Sequence, residues 1–231
     1  MQPEAVALAR IVAVSVGRAQ THQTPAGFVR AGEAPRKYRS AIVKSPVFGP
    51  AFIATTGVAG DQQADTRHHG GPDKAVHAHF AQHLQWWGQR RGRQLLPGQI
   101  GDNLTLGAPT EGAAEPEESA FCIGDVLRVG KAFLQVSQPR IPCFKQARQL
   151  GLPDGVTLAV AAGRTGMYLR VLREGDVRAG DLLLLLARPH PWATVAECNR
   201  LLHHARRDAG ARERLAALPE LAASVREALQ G

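Results

Sequence analysis

The chain has little cysteine: Cys122, Cys143 and Cys198 are the only three in 231 residues, and they are widely spaced. That excludes a disulfide framework and a paired CxxC zinc site, so any cysteine with a role works alone. Aromatic residues make up 5% of the chain, and the 28 basic residues are scattered rather than gathered in runs. Both argue against a surface on which nucleic-acid bases stack. Long apolar runs are missing too; "LLLLL" at 182–186 is far too short to cross a bilayer. The apolar start "AVALARIVAVSVG" carries Arg10 in its middle and lacks the basic leader and small-residue cleavage pattern of a signal peptide. A cytoplasmic location with no membrane contact is the expectation. No GxGxxG fingerprint for a flavin or nicotinamide occurs.

What is present suits one substantial domain with a small appendage, since 44% of the residues are hydrophobic. Short apolar runs bounded by Gly, Pro or Asp recur at "VALARIVAVSVG", "SAIVK", "NLTLG", "FCIGDVLRVG", "AFLQVSQ", "MYLRVL" and "DLLLLLA". These read as strands, with Gly-Asp pairs at 101/102, 124/125, 175/176 and 180/181 at or near their starts. The pattern predicts a mainly β fold with some α (α+β), a barrel or curled sheet. "PDKAVHAHFAQHLQWWGQRR" reads as one helix opened by Pro72, and a second helix is expected near Lys145. The acidic "GAPTEGAAEPEES" is expected to be a solvated surface loop. After "ARPHPWATVAE" the composition turns to Ala, Leu, Arg and Glu, and Thr194 with Glu197 fits a capping box. The expectation is a β-rich domain over 1–187 and a helical segment over 188–231, with helices at 195–206, 208–217 and 219–230.

The segment 60–87 holds five of the nine histidines. Read on a helix, His79 and His83 face one side at i,i+4, but Phe80 stands where zinc hydrolases of that design place a glutamate, and His77 points elsewhere. "TRHHGGPDK" differs in kind. Gly70 and Gly71 let backbone amides approach a ligand, while Arg67, His68, His69 and Lys74 bring donors to a helix start, which makes an anion site; an ordinary turn with solvated charges is the plainer alternative. The formal net charge of +8 agrees with a phosphate-bearing small molecule as well as with nucleic acid. In "QVSQPRIPCFK", Cys143 follows Pro142 in a stiff turn between Arg140 and Lys145. A positive field favours the thiolate below its free pKa of about 8.5, and the thiolate ligates soft metals or acts as a nucleophile. Cys122 and Cys198 read as core residues.

The succession "GVAGDQQADTRHHGGPDKAVH", "PGQIGDNLTLG", "IGDVLRVGKAFLQVSQPRIPCFK" and "GRTGMYLRVLREGDVRAGD" resembles the MOSC domain, named for the C-terminal domain of molybdenum cofactor sulfurases. It is most similar to the bacterial branch that carries a C-terminal three-helix segment. The resemblance implies a β-barrel and a molybdenum–pterin cofactor held through one cysteine, here Cys143. It implies reduction of N-hydroxylated compounds, such as 6-N-hydroxylaminopurine, to amines. Donors for the cofactor's phosphate and pterin would then be Arg67, His68, His69, Gly70, Gly71, Lys74 and Arg140, with Asn103, Thr105 and Lys44 as further contacts. Where the family often has Trp after the cysteine, this chain has Phe144, which keeps packing and loses an N–H donor. Electrons would come from a separate reductase, a flavoprotein. An alternative keeps the pocket and makes Cys143 a persulfide carrier in a sulfurtransferase. A nucleic-acid-binding module is a third reading; it is not favoured, because the seven arginines of 188–231 are interleaved with five acids. The tail's Leu201, Leu202, Leu215, Leu218, Leu221, Val225 and Leu229 form apolar stripes expected to pack on the barrel or on a second subunit, as in a homodimer.

Overall fold

The computed structural model describes residues 5–29, 36–65 and 70–231. Thirteen strands are present among them: β1 (Val6–Val16), β2 (Gln20–Gln23), β3 (Lys37–Ser40), β4 (Ser45–Pro46), β5 (Ala51–Ala54), β6 (Gly57–Val58), β7 (Val76–Phe80), β8 (Leu104–Gly107), β9 (Val126–Val129), β10 (Ala132–Pro139), β11 (Met167–Arg173), β12 (Gly175–Val177) and β13 (Leu182–Ala187). Seven of them close a barrel in the order β13-β9-β10-β11-β7-β8-β1, with β1 pairing back to β13. Closure leaves no long edge to be covered. All pairings in this ring are antiparallel except β7 with β8. A parallel pair needs a crossover, which helix α1 (Ala81–Arg91) supplies.

Two sequence expectations need correction here. Residues 76–80 are not the start of a helix. Val76–Phe80 is buried at all five positions, pairs with Met167–Leu169 on one side and Leu104–Leu106 on the other, and only Ala81 begins the helix. Pairing on both edges and complete burial outweigh local helix propensity. "SAIVK" is not a strand: strand pairing ends at Ser40, and Ala41–Lys44 run without regular structure beside Gly98, whose carbonyl accepts the Lys44 amide. The predicted helix near Lys145 is α2 (Phe144–Leu150), followed by α3 (Gly155–Ala162).

One apolar cluster joins Ile11, Phe80, Leu104, Phe121 and Leu134 of the barrel to the tail. The tail folds as α4 (Val195–His203), α5 (Ala209–Ala216) and α6 (Ala223–Gln230), close to the predicted spans. Its stripe residues Leu201, Leu215, Leu221 and Val225 are all buried in the barrel's own cluster. Thr194 caps α4 by accepting the Glu197 amide at 3.0 Å. A smaller cluster of Leu84, Trp87, Leu95, Ile100, Leu150 and Ala159 packs α1, α2 and α3 together. Among the described residues, no helix is long and apolar enough to cross a membrane.

Candidate functional site

Strand β10 ends at Pro139, and the chain turns through Arg140 to Cys143, which stands just before α2. This turn forms one wall of a cleft of about 600 Å³, counted out to its open mouth. Arg140, although only 4% exposed, reaches the cleft; its Nη2 donates to Cys143 Sγ at 3.6 Å and its Nη1 to Gln146 Oε1. The Arg140 amide donates to the Gly166 carbonyl at 3.0 Å, which fixes the turn to the start of β11. Buried Tyr168 from β11 lies beside Arg140, and burial pushes its phenol above the ordinary range.

The facing wall is built on Asp61. Its carboxylate accepts from the Gly17 amide, the Lys44 ammonium and Asn103 Nδ2. Lys44 is buried, which lowers its pKa, while Asp61 beside it opposes the fall. Asn103 also accepts the His77 amide and donates to the Ser15 carbonyl, so its side chain ties three elements together. Lys44, Lys74, Asn103, Arg140 and Cys143 all line the cleft, and Lys145 joins them.

Other candidates fall elsewhere. Thr105 lies outside the cleft: its hydroxyl bonds Asp102 within the core, where Asp102 also accepts the Gly98 amide. Gly71, at φ +94° in a conformation that favours glycine, precedes the turn Pro72–Lys74 without lining the cleft. Gly70 also lies outside the wall. Arg67, His68 and His69 lie outside the described residues. Phe144 is not a wall residue: it is about half exposed, with the Arg148 guanidinium 4.8 Å from its ring centre. Sequence reasoning missed Asp61 and Tyr168; Asp61 stands in "GDQQAD" at the head of the histidine segment, but nothing local shows that it would bind Lys44 and Asn103.

The strand assignment of β7 changes the histidines most. On a strand, His77 and His79 point to the same side, and His83 follows on α1. Ring centres are 5.8 Å apart for His77 and His79 and 5.2 Å for His79 and His83. His77 Nδ1 lies 2.9 Å from the Gly101 carbonyl oxygen at the cleft wall, so it carries the proton in the neutral ring. His77 Nε2, both ring nitrogens of His79, and His83 Nδ1 are buried with no protein partner in full hydrogen-bonding geometry among the described residues, although the Thr165 backbone lies close enough to act on His77 and His79. Burial holds all three rings below the usual histidine range, His83 at about 3. Beyond His83 lies Glu118, with Oε2 3.7 Å from His83 Nε2. Its Oε1 accepts the Thr165 and Gly166 amides, each at 2.8 Å. Burial still raises its pKa to about 7. The acidic loop is therefore not wholly solvated as expected, since Glu118 within it is buried. Cys122 and Cys198 are core residues, as read from the sequence. Among the described residues no cluster of three or more His, Cys, Asp or Glu is arranged to hold a metal ion.

Comparison with known proteins gives two family matches, the MOSC domain over residues 65–183 and the YiiM-like, 3-alpha helix domain over residues 194–231. The Bacillus subtilis protein YflK is 38% identical over 180 residues, 78% of each chain. A Gibberella moniliformis protein named reductase is 33% identical over 186 residues, 78% of this chain but 31% of that longer one. The crystal structure of YiiM from Geobacillus stearothermophilus superposes with a TM-score of 0.75 at 32% identity, covering 96% of this chain and 97% of that one.

Proposed function

Because the chain belongs to the MOSC domain family and ends in a YiiM-like three-helix domain, we propose that it is a molybdenum-cofactor-dependent reductase of N-hydroxylated compounds, such as hydroxylaminopurines. The observation that carries this reading is the pairing of one thiol, Cys143, with the buried Arg140 guanidinium in a cleft also lined by Lys44, Lys74 and Lys145. The donor set fits a phosphate-bearing pterin: cations and an amide on the walls for its oxygens and ring heteroatoms, and a single sulfur for its metal. When bound, the cofactor supplies the two-electron chemistry. Arg140, Lys74 and Lys145 hold its anionic groups, Asn103 and Lys44 shape the opposite wall through Asp61, and Cys143 anchors the metal.

The reaction converts R–NHOH, two electrons and two protons to R–NH2 and water. The N–O bond breaks while one N–H and one O–H bond form. The electrons come from a separate reductase, a flavoprotein, since this chain carries no flavin or nicotinamide fingerprint of its own. Cys143→Ala is expected to lose molybdenum and turnover, whereas Cys122→Ala and Cys198→Ala, which alter buried cysteines away from the cleft, keep their metal. Metal-to-protein ratios with pterin release from freshly purified protein decide it. A fully loaded Cys143→Ala protein ends the proposal, and cyanolysable sulfur on Cys143 in metal-free, inactive protein would favour sulfur transfer instead.

A further inference from the structure

We propose that Glu118, His83, His79 and His77 form a proton path through the barrel wall that delivers one of the two protons of N–O cleavage to the cleft, with His77, whose Nδ1–H rests on the Gly101 carbonyl, as the last residue of the row. The inference rests on the reductase reading above and deepens it by naming the proton source. Its geometric basis is a row of groups with one end in the cleft and the other at a carboxyl. His77 lines the cleft with Cys143, Arg140 and Tyr168. Its other nitrogen faces inward: a Cβ placed on Gly166 would lie 3.2 Å from His77 Nε2 and 2.4 Å from His79 Nδ1, so the bare glycine leaves both nitrogens beside one point. The next separation is 5.2 Å between the centres of His79 and His83, whose planes stand at 70°; no hydrogen bond joins them at rest, so transfer between them requires a ring rotation. Glu118 completes the row at 3.7 Å from His83.

A neutral imidazole suits this task, because it accepts a proton at one nitrogen and releases one from the other. Arg140 and Lys44 on the cleft side and Arg164 beside His83 disfavour a resting positive charge on the rings, so a proton passes along the row without settling there. Glu118 is the group that holds it. Burial raises its proton affinity most, the Gly166 and Thr165 amides lower it, and neighbouring Glu117 adds a small rise, which leaves it near neutrality. At 5% exposed it is not wholly sealed, so solvent can reload it. Each turnover moves one proton from Glu118 through the rings to the nitrogen or oxygen of the breaking N–O bond, and Glu118 takes a proton from water. The second proton is not assigned to this path.

Glu118→Gln keeps an acceptor oxygen for both amides but holds no transferable proton. His79→Leu breaks the row while replacing two buried ring nitrogens by apolar surface. Both are measured in holoenzyme with hydroxylaminopurine and the electron donor, after molybdenum content and wild-type turnover are established. The expected result is normal molybdenum loading, KM unchanged, kcat lower by about tenfold or more, and a larger solvent deuterium isotope effect. The wild-type fall in kcat as pH rises through about 7, where Glu118 loses its proton, disappears in Glu118→Gln. His79→Leu should be at least as stable as the parent, which separates a path from a packing role. Infrared titration of cofactor-free protein supplies a readout independent of turnover: a protonated-carboxyl band that fades near pH 7 and is absent in Glu118→Gln. Unchanged kcat, isotope effect and pH profile in both loaded variants overturn the path and leave the reductase standing. Absence of molybdenum and turnover in the wild type overturns the reductase, and the path falls with it.

Discussion

His83 and Glu118 face each other with affinities displaced in opposite directions, and the consequences for stability carry opposite signs. His83 falls from 6.5 to about 3 in the folded state. The unfolded chain therefore binds more protons below 6.5, and stability contributed by the neutral ring is present above that pH and lost as pH falls toward 3. Glu118 rises from 4.5 to about 7, so its contribution is present below 4.5 and lost as pH rises through 7. His77 and His79 act with His83. The three histidines of the row outweigh the raised carboxyls of Glu118 and Asp102, so the molecule loses stability in mild acid. Urea unfolding at pH 7.5 and pH 5 should show this loss, and His83→Leu should reduce it by about 2 kcal/mol, from 1.36 kcal/mol per unit below the unfolded value. Equal losses in parent and variant would mean that His83 is protonated in the fold.

At the scale of elements, the approach of β7 to the start of β11 holds the histidines in place. Gly166 has φ +73°, and a Cβ there would come within 2.5 Å of the Ala78 carbonyl and closer to His79. Backbone cannot yield to that contact without separating β7 from β11. Gly166→Ala should therefore destabilise the protein by more than about 2 kcal/mol, through strain and overpacking together, as read from chemical denaturation. A change below about 0.5 kcal/mol would show that the two strands have room to part. The same place marks the limit of what was legible. "NLTLG", "AFLQVSQ" and "MYLRVL" read as strands because β-branched and apolar residues sit between turn signals, and Thr194 with Glu197 located α4 because capping is local. "VHAHF" did not, because its strand state depends on partners in β8 and β11 that are distant in sequence. Cys143 and Arg140 could be found from a stiff Pro-Cys turn between cations. Asp61 and Tyr168 could not, since their contacts with Lys44, Asn103 and Arg140 exist only once the barrel closes.

On the scale of the whole molecule, the three-helix tail is a continuation of the barrel's core. Its leucines share the cluster that contains Phe121, Leu127 and Leu134. Its backbone is joined to the barrel as well: the Val195 amide donates to the Phe121 carbonyl at 2.8 Å and the Ala222 amide to the Ser137 carbonyl at 3.0 Å. Buried Asn199 of α4 adds a link toward the site, donating at 2.8 Å to the Thr165 hydroxyl beside the amide that binds Glu118. Helices of eight or nine residues are not stable alone in water, so barrel and tail hold each other in place. Deleting residues 191–231 should thus leave an apolar barrel face uncovered and give a protein that aggregates or melts at least 10 °C lower, well beyond the roughly 2–4 °C per kcal/mol of a domain this size. Asn199→Ala is the gentler probe, expected to keep the fold while shifting the Glu118 carboxyl band in an infrared titration. A truncated barrel that stays monodisperse and melts with the parent would show that the tail is an independent module, and an unmoved Glu118 band in Asn199→Ala would show that the tail does not reach the histidine row.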